Sequence, residues 1–193
     1  MKELALNILD IVQNSIRAKA NEISVSVTES IADDLYQITI ADNGNGIPAD
    51  LLQNVTDPFI TTRTKRRMGM GLPLLKYHAG ITGGGLTISS EIGKGTVMTA
   101  TFSFKHIDRQ PLGDIIGVLL LLIASNQEIN FSYSHKTDTG EYRFSTEETK
   151  EYLEIDKLYD RNLLNDIGNM ISENLKCISA SGVEVKESYK EEL

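Results

Sequence analysis

At 193 residues the chain can form one domain, or one domain with an appendage, and bury a full core without disulfide or metal staples. Its 40% hydrophobic and 24% charged residues are ordinary for a soluble globular protein, while a net charge of −8 argues against general nucleic-acid binding, which needs a basic face to displace counterions. The single cysteine, Cys177, cannot close an internal disulfide, which fits a reducing cytoplasmic setting, and the longest apolar run, 115–124, is about half of the ~20 residues a membrane span requires.

No signal peptide precedes the first amphipathic pattern. Leu4, Ile8, Leu9, Ile11, Val12 and Ile16 repeat at helical spacing and predict a helix over 3–20. Ile23, Val25 and Val27, then Tyr36, Ile38 and Ile40, alternate with polar residues. They predict paired strands at 23–29 and 35–41 around a turn at Asp33 and Asp34. Asp42 to Gly46 (D-N-G-N-G) is a turn, and Pro48 opens a short helical stretch at 49–54. Residues 57–69 are polar and basic without apolar periodicity and are expected as a loop. A helix at 70–80, with Pro73 in its first turn, leads to Gly83–Gly85 and to strands at 86–91 and 96–104 around Gly93-Lys94-Gly95. The order predicts an α/β (α+β) two-layer sandwich, one mixed sheet with helices on one face.

Pro111 and the polar stretch 105–112 mark a boundary, which divides the chain into a first domain, 1–106, and a small α+β extension, 112–185. In the extension a helix is expected at 113–125 and a hairpin at 129–135 and 141–145. Ser145-Thr146-Glu147-Glu148 has the form of a capping box, and a last helix is expected over 160–179, with Cys177 as a packing residue. No motif in 113–183 attaches to chemistry, and 184–193 reads as a charged tail.

Four segments carry the functional reading. On the first helix Asn7, Asp10, Asn14 and Arg17 share a stripe, which by itself is a solvated helix face. D-N-G-N-G at 42–46 follows a strand, P-F-I-T-T-R-T-K-R-R-M-G-M-G-L spans 58–72, and G-K-G-T spans 93–96. Arg63, Lys65, Arg66 and Arg67 make a local basic patch in an acidic chain, a place for a specific anion. In this order and spacing the segments resemble the nucleotide site of the GHKL ATPases, the superfamily of gyrase, histidine kinases and mismatch-repair ATPases, over about residues 4–104. The 58–72 segment is close to the phenylalanine and glycine boxes of histidine kinases.

That resemblance implies a Bergerat-type fold and ATP with Mg2+ as ligands. It implies that Asn14 ligates the metal, since an amide oxygen suits a hard cation that keeps its waters and phosphates. Asp42 accepts a hydrogen bond from the adenine amino group, a choice of base that a carboxylate can make because it cannot donate. Gly44 and Gly46 let the base lie against backbone. Gly69, Gly71 and Leu72 open a helix whose N-terminus faces phosphates, Arg63 and Lys65 neutralise them, and Thr96 lies near the adenine end. Arg17 matches the kinase branch, as a basic group on phosphate. Asp10 stands where gyrase has a catalytic Glu and histidine kinases have Asn, so a base for attacking water and a non-hydrolytic role both stay open. Pro73 departs from the usual small residue.

Histidine kinases place a phosphoacceptor His on a dimerising hairpin before this domain, and His78, His106 and His135 lack its acidic and proline context. Three functions follow as expectations: a kinase-type domain that phosphorylates or regulates a partner protein in the cytoplasm, a nucleotide-gated interaction module without turnover, and a slow ATPase using Asp10.

Overall fold

The computed structural model describes residues 3–52, 55 and 71–183. The loop expected at 57–69, with Phe59, Arg63, Lys65, Arg66, Arg67 and Gly69, and the tail 184–193 lie outside the described residues. The elements in chain order are α1 (Leu4–Arg17), β1 (Glu22–Ser30), β2 (Leu35–Asp42), α2 (Ala49–Leu52), α3 (Gly71–Ile81), β3 (Gly85–Glu91), β4 (Gly95–Ser103), α4 (Ile115–Ser125), β5 (Asn130–Lys136), β6 (Glu141–Ser145), α5 (Thr146–Leu153) and α6 (Arg161–Cys177).

Among the described residues the strands form one six-stranded sheet in the order β3-β4-β2-β1-β5-β6. The β1–β5 pair is parallel and the other pairs are antiparallel. Register puts Val25 opposite both Ile40 and Tyr133, and Ile40 opposite Met98, so one face of the sheet carries a continuous apolar row. All four are buried. The alternate positions, among them Ser24, Ser26, Thr39, Thr99, Ser132 and Ser134, make the other face hydroxyl-rich and partly exposed. This one-sided pattern is what an antiparallel sheet with a single covered face requires.

α1 covers the apolar face through Leu4, Ala5, Ile8, Ile11, Val12 and Ser15, with α3 and α4 on either side of it and α6 beyond α4. Asn7, on a stripe that by itself reads as a solvated face, is buried, and its side-chain amide donates to Glu3 O at 3.3 Å. α1 ends where Lys19 takes a left-handed conformation (φ 62°) and Ala20 N–H donates to Ser15 O at 3.1 Å.

Residues 112–183, expected as an extension, share the sheet and core of the first part. β5 pairs with β1 from Glu22↔Asn130 to Thr28↔Lys136. The first two N–H groups of α1, which a helix cannot satisfy internally, donate to Pro111 O and Leu112 O at 3.0 and 2.9 Å. α4 is apolar nearly all round, and seven of its side chains are buried. Such a helix needs cover on several sides, which the sheet, α1 and α6 supply. The half-formed capping box at α5 is present: Glu148 N–H donates to Ser145 Oγ at 3.3 Å. Cys177, expected to pack, is exposed at the last position of α6.

At the sheet end where β1 runs out and β2 begins, polar groups are buried together. His135 Nε2 lies 2.8 Å from Glu29 Oε1, and His135 Nδ1 lies 2.7 Å from Tyr133 Oη. Ser181 N–H donates to both oxygens of Glu29, at 3.0 and 3.1 Å. Residues 178–183 cross this end as a strap: Thr137 and Thr139 hydroxyls each donate to Ile178 O at 2.6 Å, and Gly113 N–H donates to Gly182 O at 2.8 Å. Burial, with Tyr36, Glu29 and Tyr142 nearby, pushes the Tyr133 hydroxyl well above its usual range, and burial carries Tyr142 up to about 12. The Arg109 guanidinium stacks 4.4 Å from the Tyr36 ring centre.

Candidate nucleotide site

The opposite end of the sheet gathers the residues expected at the adenine. Asp42 ends β2 and faces Thr96 across the β2–β4 register. Its carboxylate is held from two sides. The Ser15 hydroxyl, one residue past Asn14 on α1, donates to Asp42 Oδ2 at 2.6 Å, and Gly44 N–H donates to Oδ1 at 2.9 Å. A carboxylate has about four acceptor directions, so two fixed bonds orient it and still leave capacity for an incoming N–H. Ser15 is almost fully buried, and Asp42 is partly exposed.

The turn after Asp42 is built by close backbone approach. A Cβ at Gly44 would sit 2.8 Å from Ala18 O and 3.0 Å from Asp42 Oδ1. Gly46 has φ +72°, and a side chain there would overlap the Glu91 carbonyl. Three backbone bonds join the wall: Asn45 N–H to Ala18 O at 2.8 Å, Gly93 N–H to Asn45 O at 2.9 Å, and Asn43 N–H to Glu22 O at 3.3 Å. Asn43 Oδ1 accepts from Asn21 N–H and Glu22 N–H, both at 3.0 Å, tying the turn to the α1–β1 connection. On the far side Ser90 Oγ accepts from Ile47 N–H at 2.8 Å, donates to Gly95 O at 2.9 Å and lies 2.8 Å from Thr96 Oγ1. The D-N-G-N-G turn, the G-K-G-T hairpin and the end of α1 are thus one structure.

Asn14 is half-buried, one residue before Ser15 on α1, and Arg17 donates to its Oδ1. The two residues expected to hold metal and phosphate therefore hold each other, and Arg17 also donates to Gln13 Oε1 at 3.5 Å. One turn earlier, the Asp10 carboxylate lies against Gly71, the first residue of α3; a Cβ on Gly71 would overlap it. Leu72 is half-buried and packs against the core. Of the expected residues, the structure brings together Asp10, Asn14, Arg17, Asp42, Gly44, Gly46, Gly71 and Thr96. Arg63, Lys65 and Gly69 lie outside the described residues. Ser15, Asn43 and Ser90 were not singled out from sequence, although Ser15's place on the buried stripe of α1, beside Asn14, was a usable signal.

A one-sided mixed sheet with a glycine-walled carboxylate at the strand ends beside the first helix fits the fold of the ATPase family whose nucleotide motifs the sequence resembles. The family model for the histidine kinase-, DNA gyrase B- and HSP90-like ATPases matches residues 2–106, and the chain belongs to that family. It is 33% identical to sporulation kinase C of Bacillus subtilis over 103 residues, which is 50% of this chain and 22% of that protein. It is 29% identical to the sensor histidine kinase ZraS of Escherichia coli over 106 residues, 55% of this chain and 23% of that protein. The chain thus spans less than a quarter of the length of either kinase. Among solved structures, the N-terminal domain of a DNA repair protein superimposes with a TM-score of 0.54 at 21% identity, covering 76% of this chain and 53% of that one, a likeness of fold. No helix among the described residues is long and apolar enough to cross a membrane.

Proposed function

We propose that the chain binds ATP with Mg2+ at this site and passes the γ-phosphoryl group to, or through its bound state regulates, a partner protein. The observation that carries the nucleotide reading is the Asp42 carboxylate, oriented by Ser15 O–H and Gly44 N–H and walled by glycine, where it can take the adenine amino group and refuse guanine's keto oxygen. The donor set suits magnesium: Asn14 offers one hard amide oxygen, which is the usual protein contribution when phosphates and water complete the shell. The ion would supply charge neutralisation and orientation of the phosphates.

The chain's own residues do the rest. Arg17, next to Asn14 on α1, would supply a cation for phosphate. In transfer, the bond from the γ-phosphorus to the bridging oxygen breaks as a bond to a partner nitrogen or oxygen forms, and ADP leaves. Positioning and charge neutralisation carry such a reaction. The kinase relatives and the basic Arg17 three residues after Asn14 support transfer over hydrolysis.

Affinity capture of partners in the presence of γ-labelled ATP tests the proposal. Label on a captured protein, lost with Asp42→Ala, is the expected result. Phosphate released with no labelled protein, and no partner retained by nucleotide, would overturn it.

A further inference from the structure

The segment 146–160 holds α5 and the turn into α6. It carries six acids (Glu147, Glu148, Glu151, Glu154, Asp156 and Asp160) and two lysines, so half of the chain's net charge of −8 sits in 15 residues. All six acids are exposed. Neither lysine is spent on them: Lys150 Nζ donates to Gln127 O at 3.0 Å, and Lys157 Nζ lies 3.2 Å from Glu128 Oε1. Local stability accounts for only some of the acids. Glu147 and Glu148 sit in the first turn of α5, where the helix dipole favours anions, and Asp160 caps α6 through Leu163 N–H. Glu151 and Glu154 stand at the other end of α5, where the dipole favours cations, and Glu151 is three and four residues from Glu148 and Glu147, a repulsive spacing. Tyr152 and Tyr159, 87% and 71% exposed, are the two most exposed aromatic rings among the described residues, and Leu153, next to Tyr152, is exposed as well. The backbone that presents them is fixed. Gln127 Nε2 donates to Leu158 O at 3.0 Å, and Leu158 N–H donates to Gln127 Oε1 at 2.7 Å. Leu158 is fully buried, and Ile155 N–H donates to Lys150 O at 3.0 Å.

We infer that this ridge is a docking surface for a partner protein's basic segment that also carries apolar side chains. Charge decides the occupant. Glu148, Glu151, Glu154 and Asp156 have no lysine or arginine ion-pair partner among the described residues, and they meet the segment's cations. Tyr152, Leu153 and Tyr159 meet its apolar side chains. Tyrosine brings a large contact area at small entropic cost, and its ring face also takes a guanidinium. The rings therefore supply most of the affinity, and the acids supply selection and a faster encounter. The ridge lies beyond residues 2–106 of the family match, and the contact needs no nucleotide, so its failure leaves the ATP reading standing.

The test is fluorescence anisotropy of a labelled synthetic peptide of alternating arginine and leucine, titrated with the full chain without nucleotide. Tyr152→Ala with Tyr159→Ala is expected to weaken binding about tenfold, the size of a lost interface anchor. Glu151→Gln with Glu154→Gln should weaken it about fivefold at low salt and much less at high salt, as exposed ion pairs do. A control, Asp166→Asn with Glu173→Gln, removes the same charge from exposed positions on α6 and should change binding less than about twofold. Thermal unfolding separates docking from a structural role. The Glu151 and Glu154 variant should melt at or above wild type, because it relieves repulsion while it loses peptide. If the alanine variant does not fold, Tyr152→Gln with Tyr159→Gln replaces it. No binding by wild type, an equal loss in the α6 control, or no loss in the tyrosine variant would overturn the inference. So would self-association of the peptide-free chain that the same ridge variants abolish, since the face would then belong to a second copy.

Discussion

The two ends of the sheet use the same kinds of residues for opposite purposes. Where β1 ends, Glu29 is buried and its oxygens are occupied by His135 and Ser181, under a strap that runs from 178 to 183. Where β2 ends, Asp42 is also fixed by two donors, but it is partly exposed and walled by glycines instead of covered by chain. A carboxylate with its acceptors consumed and its surroundings dry is a structural rivet. A carboxylate oriented from beneath and open above still has acceptor directions facing outward, as the proposed adenine contact requires. The difference lies in what covers each acid, not in the acid.

The comparison breaks most plainly through Asp42. Asp42→Ala is expected to weaken ATP binding by about a hundredfold or more, the loss of a charge-assisted bond with its network, while circular dichroism and thermal unfolding report an intact fold. If calorimetry finds affinity kept, Asp42 is not the adenine acceptor. Glu29→Ala should do the reverse. It leaves His135 and the Ser181 N–H without their acceptor in a buried place and costs about 3–5 kcal/mol in denaturant unfolding. ATP affinity measured below the unfolding transition should be unchanged, and a parallel loss of affinity would mean the two ends are not independent.

Ser15→Ala sharpens the contrast at the open end. Removing a single supporting donor is expected to lower ATP affinity about five- to tenfold with little change in stability, because Gly44 N–H still holds one oxygen of Asp42. The smallest effect is at Asp34, a half-buried acid in the β1–β2 turn. The Ser103 hydroxyl, then the Lys105 N–H, hold its carboxyl below the usual aspartate range. A lowered folded-state value means that the stabilisation is present above the usual aspartate range and is lost as pH falls through the folded-state value. Asp34→Asn, which tolerates the left-handed backbone there (φ 52°), should melt slightly below wild type near neutral pH. Melting curves of the two should converge in acid; a constant gap would assign the effect to something other than charge.

The first half of the chain was legible because its local patterns and its glycine turns agree. Ile23, Val25, Val27 and Tyr36, Ile38, Ile40 fall where alternation puts them, and Asp42, Gly44 and Thr96 meet because β2 and β4 are neighbours. What escaped was mostly long-range. Hairpin β5–β6 is readable, but nothing local says that β5 lies parallel to β1, since that pairing joins residues over a hundred positions apart. For the same reason the Glu29–His135–Tyr133 cluster was invisible: its members lie on two strands brought together only by that pairing. The burial of Asn7 was not legible, because a helical stripe does not reveal which of its positions tertiary packing will cover. Ser15 and Ser90 act through one hydroxyl each, a residue type too common to stand out.

The most direct test of the account is calorimetric titration of the wild-type chain with MgATP and, in parallel, MgGTP. Saturable binding of MgATP with little or none of MgGTP is the predicted result, because in the proposed site the fixed carboxylate of Asp42 would accept from adenine's amino group and has nothing to give guanine's oxygen. Silence with MgATP, or equal binding of the two, would contradict it.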